Sequence, residues 1–347
     1  MRASSEEKRL ISRIPGTLAG LLGIPEAEVQ LRREATDDVD VLVAAAGHTF
    51  AVEVKGRSSA GPVAAGADRA VGAAKAARRR AIPVVAVPYM GDSGKRVCER
   101  AGASWFDFSG NAHIVAPGIR VIVDGRPNQF RKRGRPSSVF APKSSRIARW
   151  LLMHPGQAHA QRDLAGATEV SEGLVSRVIS RLEEDRYVTR DEGGLVRVAN
   201  PQLLLEAWRD EYRFSKHTTL RGHVAARSGD ALTRFVAEVL SAMKVEHAAT
   251  GLSAAWQLTR FAGFRIATFF IEADPDEVMK SKLGLREDER GANLWLVVPN
   301  DAGVFQGAGD REGVRCVHPV QAYLDLEEHP ERAADAADRV RAEYLSW

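Results

Sequence analysis

The stretch VDVLVAAAGHTFAVEVKGR, residues 39–57, holds the side chains best suited to chemistry. Asp40 opens one apolar run, Val39–Ala44, while Glu53 and Lys55 close around the end of the next, Phe50–Val54. Gly47 between the runs signals a hairpin. Strand side chains alternate, so Glu53 and Lys55 share one face and Val54 takes the other. A tight hairpin pairs the strand ends and brings Asp40 opposite Glu53. Two carboxylates and an ammonium on one sheet face suit Mg²⁺, which takes one or two carboxylates and completes its shell with water and substrate phosphate. Asp40 and Glu53 would hold the metal. The ion would polarise a phosphodiester and lower the pKa of a bound water, with Lys55 positioning that water or stabilising the developing charge. The plainer alternative is an exposed, salt-bridged hairpin that contributes little energy.

Other reactive side chains in this region have simpler roles. Asp107, Asn111 and His113 in WFDFSGNAHI could reach a site, but D-F-S-G-N also makes a good turn after a strand. Glu6 and Glu7 could add a metal ligand, or simply favour the start of a helix. Cys98 lies on a helical face with Val97 and Ala101 and is expected to pack rather than react. No Cys/His spacing suits a metal.

A second kind of chemistry lies between residues 131 and 200. Seven basic residues and no acid fall between Arg131 and Arg149: Arg131, Lys132, Arg133, Arg135, Lys143, Arg146 and Arg149. Such a run attracts a polyanion by counterion release. Within SEGLVSRVISRLEEDR, Leu174, Val175, Val178, Ile179 and Leu182 form one apolar stripe. The other face carries Glu172, Ser176, Arg177, Ser180 and Arg181, with Ser171 as the expected N-cap. A helix ending near Met153, then Gln161–Ala165 and a turn at Gly166–Val170, gives helix-turn-helix spacing. Tyr187–Arg190, a Gly193-Gly194 turn and Leu195–Val198 supply a wing flanked by Arg190 and Arg197. A recognition helix in a major groove, with wing arginines on the backbone, would explain these residue choices. A winged helix used only for protein contacts is the alternative.

These residues need elements to position them. Helical spacing over Ser4–Leu22, the hairpin, an alanine-rich helix over Ala64–Arg80, a buried strand at Ile82–Pro88, a helix over Ser93–Ala101 and strands at Ser104–Phe108 and Ile119–Val123 make an α/β unit with a partly antiparallel sheet. The last third alternates helices (Ala231–Met243, Gly251–Phe261) with strands (Arg265–Glu272, Asn293–Val298). It ends in an amphipathic helix from Pro319 to Leu345, interrupted near Pro330. The expected division is 1–128 as an α/β domain, 129–143 as a basic linker, 144–215 as a winged helix-turn-helix and 216–347 as an α+β domain: an α/β multidomain chain.

The hairpin resembles the PD-(D/E)XK nuclease superfamily, with Asp40, Glu53 and Lys55 matching its Asp…Glu-X-Lys motif and Val39 standing where the motif has proline. That resemblance implies a restriction-endonuclease-like fold for the first domain. Arg-Gly-Arg-Pro in RKRGRPSS is similar to an AT-hook, which lays arginine in a narrow A·T minor groove; an ordinary arginine-rich connector would also contact phosphates. From roughly residue 140 to 345, APKSSRIARWLL, VSEGLVSRVISRLEEDRYV, NPQLLLEAWRDEYRF and VHPVQAYLDLEEHPERAADAADRVRAEYL resemble AbiEi-type antitoxins of type IV toxin–antitoxin systems. This implies DNA binding, transcriptional autoregulation and a cognate toxin partner. The nuclease-like domain in front departs from shorter members.

Composition sets outer bounds. The chain has 347 residues, 44% hydrophobic and 27% charged, with formal net charge +4. No apolar run approaches a membrane span, the start MRASSEEKRL lacks the apolar stretch of a signal peptide, and two cysteines suit a reducing cytoplasm. Residues 221–347 carry 15 basic and 20 acidic side chains, which argues against a second DNA surface there. ADPDEVMKSKLG in that part reads as a capped helix start, and Tyr323, Leu324, Leu326 and Ala336 as core or a dimer contact. The expected function is a double-stranded DNA-binding regulator of antitoxin type, acting as a homodimer. The alternative is a Mg²⁺-dependent endonuclease targeted by the winged helix.

Overall fold

A computed structural model describes residues 4–32, 39–76, 81–130, 138–261, 263–288 and 290–347. They fall into two compact units: Met1–Pro136 with Glu184–Tyr187, and Ser137–Glu183 with Val188–Trp347.

The first unit begins with α1 (Ser5–Ile11) and α2 (Ile14–Leu22), followed by β1 (Gln30–Arg32), β2 (Val41–Ala45), β3 (His48–Val54), α3 (Ala60–Ala76), β4 (Ile82–Val87), α4 (Asp92–Ala101), β5 (Ser104–Asp107), β6 (Ala112–Ala116) and β7 (Ile119–Val123). The seven strands form one sheet in sequence order. Pairing is antiparallel from β1 to β3, parallel through β3, β4 and β5, and antiparallel again to β7. The two-residue turn Ala46-Gly47 has positive φ at both positions, the backbone twist that a tight hairpin needs. One apolar core runs from Ile14 and Leu18 on α2 through Val43, Phe50, Val52 and Val84 to Phe106 and Ile114.

Three expectations here are corrected. Ser4–Leu22 is two helices rather than one: Pro15, lacking an N–H, occupies the first turn of α2 and starts a new helix there. The alanine-rich helix begins at Ala60 rather than Ala64, since Pro62 is tolerated in a first turn. Strands β1 and β6 were not expected. At three and five residues they are too short for an alternation of apolar side chains to stand out.

The second unit contains α5 (Pro142–Met153), β8 (Ala158–His159), α6 (Gln161–Thr168), α7 (Glu172–Glu184), β9 (Val188–Arg190) and β10 (Val196–Val198), with the three strands ordered β8-β10-β9. Then come α8 (Pro201–Glu211), β11 (Thr218–His223), α9 (Gly229–Ala242), β12 (His247–Thr250), α10 (Gly251–Thr259), β13 (Ala267–Ile271), α11 (Glu277–Leu283), β14 (Arg286–Glu287), β15 (Leu294–Val298), β16 (Gly309–Arg311), β17 (Val314–Cys316), α12 (Pro319–Leu326) and α13 (Ala333–Tyr344). Its large sheet has the order β14-β11-β15-β13-β12-β17-β16. Asp276 caps α11 by accepting from the Met279 N–H, as the reading of ADPDEVMKSKLG expects. Every residue of α12 is buried, including Tyr323, Leu324 and Leu326, so this helix is core.

Candidate functional site

In the first unit, the pairing of Val41 with Val52 carries the hairpin on to set Asp40 opposite Glu53. Asp40 Oδ2 accepts a hydrogen bond from the Val54 N–H at 2.9 Å, which fixes its carboxylate at the strand end. Lys55 Nζ donates to Glu53 Oε2 at 2.5 Å and lies 3.7 Å from Asp40 Oδ2. The three side chains that the sequence singles out therefore converge. Arg69 on α3 was not anticipated, and its Nη2 also meets Glu53 Oε2 at 2.5 Å. No pattern in the sequence ties Arg69 to the hairpin; the packing of α3 on β3, where Gly66 lies against the Lys55 stem, brings it there.

Glu53 is fully buried, and its Oε1 has no hydrogen-bond partner among the described residues. Burial holds its carboxyl above the usual carboxylate range, against the opposing pull of Lys55. A buried carboxylate oxygen without a donor is costly unless something positive meets it. Asp40 and Glu53 are hard oxygen ligands on adjacent strand ends, so they fit a Mg²⁺ ion that keeps water in most of its shell. No group of three or more His, Cys, Asp or Glu able to hold a metal occurs among the described residues. A metal here would rest on these two carboxylates.

The neighbouring candidates have structural work. Asp107 is fully buried and accepts from the backbone N–H groups of Met90, Ser109 and Asn111 and from Asn111 Nδ2, at 2.8–3.0 Å. Asn111 Oδ1 in turn accepts from Arg126 N. This is a loop clasp, as the turn reading expects. Glu7 forms a capping box with Ser4, and Glu6 lies beside Gly56. Burial pushes the Cys98 thiol up to about 12, in keeping with a packed, unreactive side chain.

In the second unit, α7 buries Val175, Val178, Ile179 and Leu182, and leaves Leu174 half-buried. Ser176, Arg177, Ser180 and Arg181 are exposed on the opposite face. Ser171 Oγ accepts from the Leu174 N–H at 3.4 Å, as an N-cap does. The β9–β10 hairpin forms where the Gly193-Gly194 turn indicates. Its two arginines are anchored: Arg190 pairs with Glu183 at 2.8 Å, and Arg197 donates to Gly156 O at 2.9 Å. Lys143 is exposed in the first turn of α5. Arg131, Lys132, Arg133 and Arg135 lie outside the described residues.

Two members of the basic run do not belong to a surface patch. Arg146 forms a two-pronged ion pair with Asp301, at 2.7 and 3.0 Å. Arg149 is buried, donates to Gln321 Oε1 at 2.6 Å and stacks on Trp208. Both lie on the inward face of α5, where helical period rather than charge decides which side chains are buried.

Arg149 leads into a buried polar network that the sequence reading did not find. Asn300 N donates to His217 Nδ1, so His217 Nε2 carries the proton and donates to the Tyr212 hydroxyl at 2.9 Å. Tyr212 and Thr250 donate to the two oxygens of Asp325. Gln321 Nε2 donates to Asp325 Oδ1 at 2.7 Å. Burial pushes the Asp325 carboxyl up to about 7 and the His217 imidazole down to about 4. Tyr323 accepts from Arg209 Nη1 at 2.8 Å. The polar positions of VQAYLDL therefore knit α5, α8 and α12 together; the signal was three polar residues at alternate positions within an otherwise apolar helix.

Residues 197–346 match the family described as transcriptional regulator, AbiEi antitoxin, type IV TA system. This covers the C-terminal part of the resemblance and starts after α7. No curated protein and no solved structure matches the chain. No helix among the described residues is long and apolar enough to cross a membrane.

Proposed function

We propose that this chain is a double-stranded DNA-binding transcriptional regulator of antitoxin type, which reads DNA with a winged helix. In this reading α6 and α7 are the helix-turn-helix and β9–β10 is the wing. The observation that carries it is the face of α7, where Ser176, Arg177, Ser180 and Arg181 stand exposed opposite a buried apolar stripe. Arginines reach guanine edges or phosphates, and small hydroxyls permit close approach to a groove. Lys143 and the arginine-rich residues 131–135 add phosphate contacts. Arg190 and Arg197, held by protein partners, set the shape of the wing and meet the backbone from fixed positions. The family matched by residues 197–346 supports a regulatory role beside a cognate toxin. As a homodimer, the chain would bind two half-sites about 34–36 Å apart, or a multiple of that spacing.

The test is fluorescence anisotropy on duplexes tiling the region upstream of the gene, in a salt series. The Arg177→Ala, Arg181→Ala double variant should lose about 10- to 100-fold in affinity, the scale of removing one or two arginine bonds to DNA. Unchanged affinity would overturn the assignment of α7.

A second reading, a Mg²⁺-dependent endonuclease targeted by the same helix, is favoured by one observation. Asp40, Glu53 and Lys55 converge with Glu53 Oε1 unpartnered. A bound Mg²⁺ would supply an activated water and polarise the phosphate. Asp40 and Glu53 would hold it, and Lys55 would face the reacting phosphate as a fixed cation.

A further inference from the structure

We propose that Arg69 is a gate on the divalent-cation site at Asp40 and Glu53, opened when a phosphate of bound DNA draws its guanidinium away. The proposal rests on the second reading above, and names how that site would be controlled.

Among the described residues, four charged side chains meet at the end of the hairpin: Asp40, Glu53, Lys55 and Arg69. Two carboxylates against two cations give no net charge, so the site as it stands has little pull on a divalent ion. Glu53 Oε2 is already held by both cations, each at 2.5 Å. Asp40 Oδ2 is engaged by the Val54 N–H. Glu53 Oε1 is buried without a partner among the described residues, and an ion that bound there would also meet the two cations on the same carboxylate.

The two cations are not equivalent. The Lys55 side chain is 9% exposed, and its stem lies so close to α3 that a Cβ added at Gly66 would stand 3.0 Å from Lys55 Cε. That packing holds the Lys55 stem in place. Arg69 sits three residues further along α3, and its side chain is 39% exposed. It alone of the pair can swing outward by rotamer changes. A phosphodiester offers a guanidinium two acceptor oxygens in a matching fork. Once Arg69 takes that partner, Glu53 Oε2 is left to Lys55 alone and the remaining trio carries one net negative charge. That charge favours a divalent cation. DNA binding and metal binding then assist each other, and the assistance is reciprocal.

The test is Mn²⁺ binding to the full chain followed by electron paramagnetic resonance, with and without a short duplex whose phosphorothioate backbone resists cleavage. Arg69→Gln removes the guanidinium, Arg69→Lys keeps a cation, and Glu53→Gln serves as the background for ions held by DNA itself. The expected result is weak Mn²⁺ binding to the free wild-type chain and to Arg69→Lys, and at least tenfold tighter binding to free Arg69→Gln. Duplex DNA should tighten Mn²⁺ binding to the wild type by a similar factor and change Arg69→Gln little. Equal Glu53-dependent affinity in free wild type and free Arg69→Gln would overturn the gate while leaving the metal site standing. A tighter Arg69→Gln with no effect of DNA on the wild type would overturn phosphate as the trigger. Absence of Glu53-dependent Mn²⁺ binding in every protein, with or without DNA, would overturn the metal site and the gate together.

Discussion

Asp325 shows how a single residue in this fold links packing to pH. It is fully buried and receives three donors, from Tyr212, Thr250 and Gln321. Those bonds favour the carboxylate, yet burial outweighs them and the carboxyl rises to about 7. In an unfolded chain the same group titrates near pH 3.9. Between about pH 4 and 7 the folded state therefore holds a proton that the unfolded state has released, and stability falls as pH rises through that window. The loss is complete above the folded pKa and amounts to up to about 4 kcal/mol. Urea unfolding at pH 5 and pH 8 should show the wild type more stable at the lower pH, and Asp325→Asn should flatten that difference. An Asp325→Asn variant with the same pH slope would place the titration elsewhere. The one sequence signal at this residue is its place in the alternating polar set Gln321, Tyr323 and Asp325, which names no partner. Asp325 reads locally as one acid among apolar neighbours, and its donors come from positions 212, 250 and 321, brought together only by tertiary packing. Asp40, Glu53 and Lys55 were legible because a hairpin is local: strand alternation and one turn suffice to place them.

At the scale of elements, α5 shows where reading by charge and reading by period diverge. Its basic residues suggest a polyanion surface, but the helix turns Arg146 and Arg149 inward, while Lys143 stays in solvent. The inward face is tightly fitted. A Cβ added at Gly303 would stand 2.7 Å from Arg146 Cγ, 2.7 Å from Asp301 Oδ1 and 3.0 Å from Arg149 Nη1. Gly303→Ala should push apart the Arg146–Asp301 pair and leave two poorly compensated charges, one of them nearly out of water. Breaking a buried pair costs about 3–5 kcal/mol; with Arg146 half-buried, a loss of about 2 kcal/mol in denaturant unfolding is the expected scale. Stability within about 0.5 kcal/mol of wild type would mean that the packing around Gly303 relaxes freely. Helices with strong apolar periods, such as α7 and α9, were visible from spacing alone. The short strands β1, β6, β16 and β17 were not, because three to five residues carry too little alternation to separate a strand from a loop.

At the scale of the whole molecule, the two candidate activities fall in different units. The carboxylate cluster belongs to the first, and the exposed face of α7 to the second. Each should therefore respond to its own variants. Affinity carried by arginine–phosphate pairs follows counterion release and needs no divalent metal, so duplex binding should persist in metal-free buffer and the logarithm of affinity should fall there linearly with the logarithm of salt. Arg177→Ala with Arg181→Ala should lower that slope by about one for each phosphate that no longer has an arginine against it. In the same metal-free buffer, Glu53→Ala should retain the salt-dependent binding that α7 carries. Supercoiled plasmid incubated with Mg²⁺ or Mn²⁺ supplies the opposing readout, since any cutting that belongs to the carboxylate site must vanish in Glu53→Ala and survive, with altered targeting, in the arginine variant. Metal-dependent cutting with this pattern would make the chain an endonuclease steered by its second unit. Salt-dependent binding without cutting in any protein would leave the carboxylate cluster of the first unit without a cutting role, with the DNA reading left to α7.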